Sequence, residues 1–579
     1  MKRIGFFATT ATTAAVLAAS LAGTVTGSAS AAPQVDPLTP GPHKVAEASY
    51  DLGNEAFQPN GFPKPVELAG QVYHPEKLAD SAYPVVVFLH GRHVTCMSKT
   101  EPRPKLAWPC PTGYEPIPSH LGYDYVAKQL ASHGYAVISL SANGINGNDS
   151  LDPQYGQRAR GELVLKHLDL WNEWRSKPGG PVPITVTRSF DFTRIGLMGH
   201  SRGGEGVVNA VAQNALREKP YKLRALLPLA ATDFERRIPV GITMATLQPD
   251  CDGDVSDLQG VHYYDDSRYY VNTDRATRNN VTVLGANHNY FNTNWTPSSG
   301  LQGAVDDWRG DASSPCHPSK PTRLTEQQQR NVGIGYIGGF FRHYLGGEKA
   351  LGPLWRGETG VPASIAPATV NVSYHPPAAS GQRLDVNRQD GFRDTNTLGG
   401  KVTATGATQT RCGGSGVEPA SGSCLSKPGT RLTEPHRGWG FSGVIAGRTA
   451  WAATGGTVTN EIPAQHGDVK KYKALQFRGG VDFSDAANVA GQPQDLRIVL
   501  TDTTGKSASV KASEFGKALD YPLVSGAQGD VVPKLHLNQV RVPLTAFAGV
   551  DLTKVATVAL ALDVNPTGAL AVADLVFTD

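Results

Sequence analysis

The chain has 579 residues, too many for one hydrophobic core, so more than one domain is expected. Its 54 Lys and Arg residues nearly balance its 51 Asp and Glu residues. The resulting formal net charge is only +3, so the chain is not one of the strongly basic proteins that bind nucleic acid through charge alone.

The first residues predict an export signal. Lys2 and Arg3 precede a weakly apolar, alanine-rich stretch, and residues 29–31 form an A-x-A cleavage pattern. We therefore expect a signal peptide over residues 1–31, a secreted mature chain, and a formal charge of about +1 after cleavage. No later apolar run is long enough to cross a membrane.

Strand and helix patterns alternate through the first half of the chain. This alternation predicts an α/β fold, in which a mostly parallel sheet carries helices on both faces. The polar, glycine-rich stretch 143–153 is predicted as a loop near the C-terminal edge of that sheet. The predicted strands include 67–73, 84–89, 135–140 and 223–229, and the predicted helices are 122–132, 157–177 and 325–345.

Residues 194–211 carry the most informative pattern. An apolar run over 195–198 meets Gly199-His200-Ser201-Arg202-Gly203, and a helical pattern follows at once. This is G-x-S-x-G between a strand and a helix, the pattern of a nucleophile elbow. Residues two positions from the serine must be nearly side-chain-free in such a strained turn. Ser201 is therefore a candidate nucleophile; the alternative is an ordinary serine in a glycine-rich turn.

A nucleophilic serine needs a histidine base and a carboxylate that orients it. The predicted strand 280–285 leads into His288, which in the alternative interpretation is a solvated loop histidine between two asparagines. The predicted strand 239–247 leads into three alternating aspartates, Asp250, Asp252 and Asp254.

Alternating aspartates also begin calcium-binding loops, so calcium is an alternative here. The twelve-residue calcium loop requires glycine at its sixth position and glutamate at its twelfth. Those positions hold Val255 and Val261. The pattern therefore favours a catalytic carboxylate, and we expect no metal ion.

The order serine, aspartate, histidine, each just after a strand, resembles the α/β-hydrolase superfamily. Over about residues 45–355 the chain is similar to the secreted branch of dienelactone hydrolases, platelet-activating-factor acetylhydrolases and polyester hydrolases. The shared motifs are specific for the triad but say little about the substrate. The acid of that family stands in a D-x-x-V pattern, which Asp252 matches best, with Asp250 in reserve.

The same resemblance implies an oxyanion hole made of two backbone amides. One is the amide of Arg202, directly after the nucleophile; the other is that of Arg92, in the His-Gly-Arg stretch after strand 84–89. The side chains of Arg92 and Arg202 have two interpretations. They favour a substrate that carries a carboxylate, or they bond surface carboxylates such as Glu205.

Six cysteines fit an exported chain. Zinc is the alternative to disulfides, but the chain has no C-x-x-C and its cysteine spacings are irregular. Of the several connectivities possible, proximity favours Cys96–Cys110 and Cys412–Cys424, which leaves Cys251–Cys316.

The composition changes after Trp355. Residues 360–380 are rich in Pro, Ala and Val and are predicted as a linker between a catalytic domain, 32–359, and a second domain, 381–579. We expect the catalytic domain to fold and to hydrolyse small esters by itself.

Short alternating segments in 381–579 predict an all-β sandwich. Its last strands resemble galactose-binding-like jelly rolls, common in carbohydrate-binding modules, so carbohydrate is a candidate partner. Trp439 and Trp451 are candidates for stacking on sugar rings, with a core position as the alternative.

Together these features predict a secreted serine hydrolase that cleaves carboxylic esters without a cofactor. An amidase or peptidase on the same fold is an alternative. A second alternative is a non-catalytic or weakly catalytic protein that binds glycans or cell walls. The pattern specifies neither the acyl and alcohol parts of the substrate nor the oligomeric state.

Overall fold

The computed structural model describes residues 35–77, 82–101, 103–388, 394–413, 437–438, 440–441, 445–527 and 530–579. Residues Asp36–Asp579 form one compact unit. The predicted signal peptide, Trp439 and the Cys412–Cys424 pair lie outside the residues whose side chains are described.

A nine-stranded sheet forms the centre of the first part of the chain. Its order is β1-β2-β4-β3-β5-β6-β7-β8-β9, and β3 to β8 run parallel, while β1, β2 and β9 pair antiparallel with their neighbours. A mixed α/β fold with a mostly parallel sheet is thereby confirmed. The strands are β1 Val45–Asp51, β2 Ala69–Pro75, β3 Tyr83–Leu89, β4 Ala136–Leu140, β5 Phe190–His200, β6 Leu223–Leu229, β7 Thr243–Pro249, β8 Arg278–Leu284 and β9 Thr369–His375.

Helices cover this sheet. Val85 and Val87 of β3 share a hydrophobic core with α3 and α5, whereas Phe88 contacts Tyr123 before α1. Alternating side chains of one strand thus pack on opposite faces. Among the described residues, no helix is both long and apolar enough to cross a membrane. The helices are α1 Asp124–Ser132, α2 Asn143–Asn148, α3 Gln157–Glu173, α4 Ile184–Arg188, α5 Arg202–Ala215, α6 Val261–Ser267, α7 Glu326–Gly333 and α8 Gly352–Arg356.

The prediction of a loop over 143–153 is wrong in part, because α2 lies there. Its first amides donate to the buried carboxylate of Glu67, from Asn143 N at 2.6 Å and from Gly144 N at 2.7 Å. A carboxylate at a helix N-terminus satisfies amides that lack intrahelical partners. The local sequence did not indicate this helix, because its stabilising carboxylate comes from a distant segment.

A strand lies within the stretch predicted as a linker. Residues Thr369–His375 form β9, and Val372 pairs opposite Val281 of β8. Composition did not indicate this strand, because proline-rich segments on both sides of a short β-branched run favoured a linker. The domain boundaries 32–359 and 381–579 stay predictions.

The rest of the chain is all-β among its described residues. Two antiparallel sheets have the orders β12-β13-β20-β15-β18, with β10 beside β20, and β11-β14-β19-β16-β17. Both contribute to one hydrophobic core, which contains Phe477 and Leu560. The jelly-roll identity stays a prediction. The strands are β10 Arg383–Asn387, β11 Val402–Thr405, β12 Thr408–Gly413, β13 Ile445–Trp451, β14 Gly456–Glu461, β15 Ala474–Val481, β16 Arg497–Asp502, β17 Ser507–Lys511, β18 Asn538–Pro543, β19 Val555–Leu562 and β20 Gly568–Thr578.

Candidate active site

Ser201 occupies a strained turn between β5 and α5. Its backbone has φ 58° and ψ −127°, a conformation that a residue with a side chain rarely adopts. A Cβ atom at Gly199 would lie 2.0 Å from the carbonyl oxygen of Gly203, and one at Gly203 would lie 2.5 Å from that of Leu89. Both glycines are therefore required by close backbone approach, as the G-x-S-x-G pattern predicts.

The loop after β3 packs directly on this turn. A Cβ atom at Gly91 would lie 2.5 Å from the Cβ of Ser201. The Gly91 carbonyl accepts a hydrogen bond of 2.9 Å from Asn146 Nδ2. Because C=O and N–H point in opposite directions across a trans peptide, this bond fixes the direction of the Arg92 amide. Asn146 lies in α2 and is a site residue that the sequence analysis missed.

His288 and Asp252 meet at the C-terminal ends of β8 and β7. His288 Nδ1 lies 2.9 Å from Asp252 Oδ2, and both side chains are buried. Asp252 Oδ1 also accepts hydrogen bonds from the amides of Asp254, at 3.0 Å, and Val255, at 2.7 Å. The carboxylate is therefore held in one orientation toward the imidazole.

The residue before Ser201 contacts His288. The ring of His200, next to Ser201 in the chain, is 4.8 Å from the ring of His288 between centroids. Among the described residues, His288 Nε2 has no hydrogen-bond partner. Hydrogen bonds between a nucleophile and its base are often formed only when substrate is bound.

Carboxylates surround the imidazole of His288. Asp254 Oδ2 lies 3.4 Å from His288 Nε2, on the side away from Asp252. Burial disfavours the imidazolium, but Asp252, Asp254 and Asp307 outweigh it and raise the pKa of His288 to about 10. The site thus stabilises the protonated form of a histidine that would take a proton from a nucleophile.

The three aspartates of this loop have different partners. Asp252 contacts His288 Nδ1, whereas Asp250 Oδ1 lies 2.6 Å from Nε2 of His536, in the C-terminal part of the chain. Asp254 is 46% exposed. Asp252 is therefore the aspartate in contact with His288 Nδ1, and the reserve candidate Asp250 has a different partner. The identity of the triad acid stays a prediction.

A further buried carboxylate, Asp307, links the loop of Asp252 to that of His288. It accepts hydrogen bonds from the amides of Gly253, at 2.9 Å, and Asn289, at 3.1 Å. Burial, opposed by Arg323, raises the pKa of Asp307 to about 7. Its role was missed because no motif surrounds it in the sequence.

The guanidinium groups of Arg92 and Arg202 share a buried partner, Asp149. Arg202 Nη1 lies 2.6 Å and Arg92 Nε 3.3 Å from its carboxylate, and the fully buried Arg160 also contacts it at 3.3 Å. Glu205, suggested from the sequence as a partner, instead accepts from Thr232 Oγ1 at 2.8 Å. The suggested Glu205 contact is therefore wrong, and the cluster carries more positive than negative charge.

Aromatic rings lie beside His288 and Arg202. Trp295 stacks parallel to the ring of His288 with 6.4 Å between centroids, and it was not recognised in the sequence. The guanidinium of Arg202 lies over the rings of Tyr155, at 5.2 Å, and Phe234, at 5.7 Å. Phe234 therefore lies beside the residue that follows Ser201.

Two predicted disulfides are present, Cys96–Cys110 and Cys251–Cys316. The second fixes the residue before Asp252 to a segment beyond His288.

Trp451 is buried, and its Nε1 donates to Asn565 O at 2.9 Å, so it occupies the core position that was the alternative to sugar stacking.

Comparison with known proteins points to ester hydrolysis. A family model described as PETase, PET hydrolase-like, matches residues 111–301, which include Ser201, Asp252 and His288. The chain is also 27% identical over 300 residues to the bis(hydroxyethyl) terephthalate hydrolase of Streptomyces coelicolor, covering 51% of this chain and 78% of that protein. With the mostly parallel sheet, these similarities support an ester hydrolase of the polyester-hydrolase branch of α/β-hydrolases. The family match does not reach the C-terminal sheets.

Proposed function

We propose that this chain is a secreted serine hydrolase that cleaves carboxylic esters through an acyl-enzyme. The observation that carries the proposal is the arrangement of three residues at the C-terminal ends of strands of one sheet. Ser201 stands on a strained elbow after β5, and the bonded pair Asp252–His288 stands on the loops after β7 and β8. The two disulfides support an oxidising, extracellular location.

In the proposed reaction, Ser201 Oγ adds to the ester carbonyl carbon and gives its proton to His288 Nε2. The tetrahedral intermediate then breaks its bond to the alcohol oxygen, which leaves with that proton. Water, deprotonated by His288, attacks the acyl-enzyme and releases the acid and Ser201. Asp252 holds the Nδ1–H tautomer throughout and stabilises the imidazolium.

The oxyanion of this intermediate would be bound by the backbone amides of Arg92 and Arg202. Arg202 is the first residue of α5, where an amide has no intrahelical acceptor. The Arg92 amide is oriented by the bond between Asn146 and the Gly91 carbonyl. These two features support the assignment, because donors that are oriented before substrate binds give efficient electrostatic stabilisation.

We propose aromatic esters as the first substrate class to test. The partly exposed ring of Tyr155 and that of Phe234, 5.7 Å apart between centroids, stand beside Arg202 and offer a surface on which an aromatic acyl group can stack. The name of the Streptomyces relative adds bis(hydroxyethyl) terephthalate as a specific compound.

A fluorophosphonate probe and an ester panel test this proposal. The probe should label the purified protein, and Ser201→Ala should remove the label and lower kcat/KM by about 10³-fold or more. The melting temperature of Ser201→Ala should stay near that of the wild type, because the hydroxyl contributes chemistry and little packing. Labelling that persists in Ser201→Ala, or a loss of only a few-fold, would overturn the assignment.

A further inference from the structure

The loop that carries Asp252 is held by two side chains from the C-terminal part of the chain. Lys534 Nζ donates to the carbonyl oxygen of Asp250 at 2.7 Å. His536 Nε2 lies 2.6 Å from Asp250 Oδ1. The backbone and the side chain of one loop residue are therefore both bound from a segment 284 and 286 residues further along.

Lys534 is an unusual residue to find in this position. It is 1% exposed, although a buried ammonium loses its hydration at considerable cost. Burial lowers its pKa, and four aspartates around it oppose that effect. Three of them belong to the loop or to its support: Asp250, Asp252 and Asp307. The ammonium thus offsets part of the negative charge of the aspartates around Asp252 and His288.

His536 and Lys534 also fix the charge of Asp250. Burial would favour its neutral form, but the hydrogen bond from His536 and the charge of Lys534 outweigh burial, so the pKa of Asp250 lies below its usual range. An ionised Asp250 accepts a stronger hydrogen bond than a neutral one. The contact between His536 and Asp250 is therefore a charge-assisted hydrogen bond, and we call it the clamp.

The same C-terminal segment covers the adjacent disulfide. Val532 packs in one apolar cluster with Cys251 and Cys316. Cys251 N also donates to Ala286 O at 2.8 Å, which connects the loop to the segment that leads into His288. Residues 532–536 therefore contact the aspartate loop at two successive positions, 250 and 251.

We propose that Lys534 and His536 are positioning residues that hold the loop 250–254 so that Asp252 meets His288. This inference rests on the proposed function, because it assigns the two residues to the same site. It makes the C-terminal part of the chain a component of the catalytic unit. Neither residue touches the reacting atoms; both act through Asp250.

The test compares full-length variants with a soluble ester, p-nitrophenyl acetate. Lys534→Met removes the charge at similar length, Lys534→Arg keeps it, and Lys554→Met makes the same change at an exposed lysine. Lys534→Met should lower kcat roughly 10- to 100-fold with little change in KM, as misplacement of a catalytic group does. Lys534→Arg should recover much of the loss, and Lys554→Met should behave as the wild type.

Amide hydrogen exchange provides a readout that does not depend on activity. Exchange at residues 251–255 should be faster in Lys534→Met than in the wild type, while exchange in the distant strand β16 stays unchanged. If Lys534→Met fails to fold, His536→Leu at a partly exposed side chain provides the same comparison of kcat with KM. A fall in kcat at constant KM there supports the proposal.

Two different failures can be separated. Unchanged kcat and unchanged exchange in the folded variant would overturn the positioning role while leaving the esterase proposal intact. Equal losses in Lys534→Met and Lys554→Met would also overturn it. A wild-type protein without Ser201-dependent hydrolysis would overturn the proposed function, whereas faster exchange in Lys534→Met would still support the clamp on the loop.

Discussion

Arg268 and Asp574 form a buried ion pair, with 3.1 Å between Nε and Oδ2, although 306 residues separate them. Arg478 joins the same network, at 2.7 Å from Asp574 and 2.9 Å from Asp265. Asp265 and Arg268 lie in or directly after α6, whereas Arg478 and Asp574 lie in the C-terminal sheets. This arrangement argues against the expectation that residues 32–359 fold and act alone.

Asp574→Asn tests the strength of this network. Removal of one partner leaves buried guanidinium charge uncompensated, so we expect a loss of about 3–5 kcal/mol in the free energy of unfolding. Urea denaturation at neutral pH measures it. The exposed pair Arg497–Asp563 offers the control, since Asp563→Asn should cost about 1 kcal/mol or less. Equal small effects would contradict a structural role for the network.

The network also predicts how stability depends on pH. Burial opposes ionisation of Asp574, but Arg268 and Arg478 outweigh it and hold its pKa well below the usual range. A depressed pKa means that the stabilisation is complete above the unfolded value of about 3.9 and is lost as pH falls below it. The difference in unfolding free energy between wild type and Asp574→Asn should therefore shrink in acid.

The sequence predicted those parts of the fold that depend on local patterns. The elbow of Ser201 was evident because its glycines are dictated by the turn itself, and the disulfide Cys251–Cys316 followed by elimination. Contacts between distant segments could not be predicted in the same way. Asn146, which orients the Arg92 amide, lies in a helix that depends on Glu67. Lys534 has no motif around it, and only the packing of the C-terminal part brings it to Asp250.

Substitution of the three loop aspartates separates their roles. Asp252→Asn should lower kcat by about 10³-fold or more, because an amide at this position favours the wrong tautomer of His288. Asp250→Asn should cost less, since it weakens the clamp with His536 without removing the partner of His288. Asp254→Asn should cause no loss at neutral pH and should raise the rate there, because removing this carboxylate lowers the pKa of His288. Steady-state kinetics with one soluble ester would rank them, and a more severe effect of Asp250→Asn would transfer the acid role to that residue.

The pH dependence of kcat/KM reports the ionisation of His288. Because the pKa of His288 is raised to about 10 and only neutral imidazole accepts the serine proton, activity should increase from neutral pH toward about pH 10. Asp254→Asn removes a carboxylate 3.4 Å from Nε2, so the ascending limb should shift to lower pH. Asp563→Asn, on the C-terminal sheets, should leave the limb in place. An unshifted limb in Asp254→Asn would contradict the electrostatic role of that carboxylate.

Asp149 is the carboxylate that Arg92, Arg160 and Arg202 share, and its removal should affect both stability and catalysis. Asp149→Asn leaves the fully buried Arg160 without its carboxylate, so the free energy of unfolding should fall by about 3–5 kcal/mol. The side chains of Arg92 and Arg202 would lose their shared anchor, and kcat should fall more than KM changes if their amides bind the oxyanion. Urea denaturation and steady-state kinetics measure the two effects separately. Glu173→Gln, at an exposed pair with Lys177, is the matched control and should change neither by a measurable amount. A stable, fully active Asp149→Asn would show that the arginine cluster does not support the site.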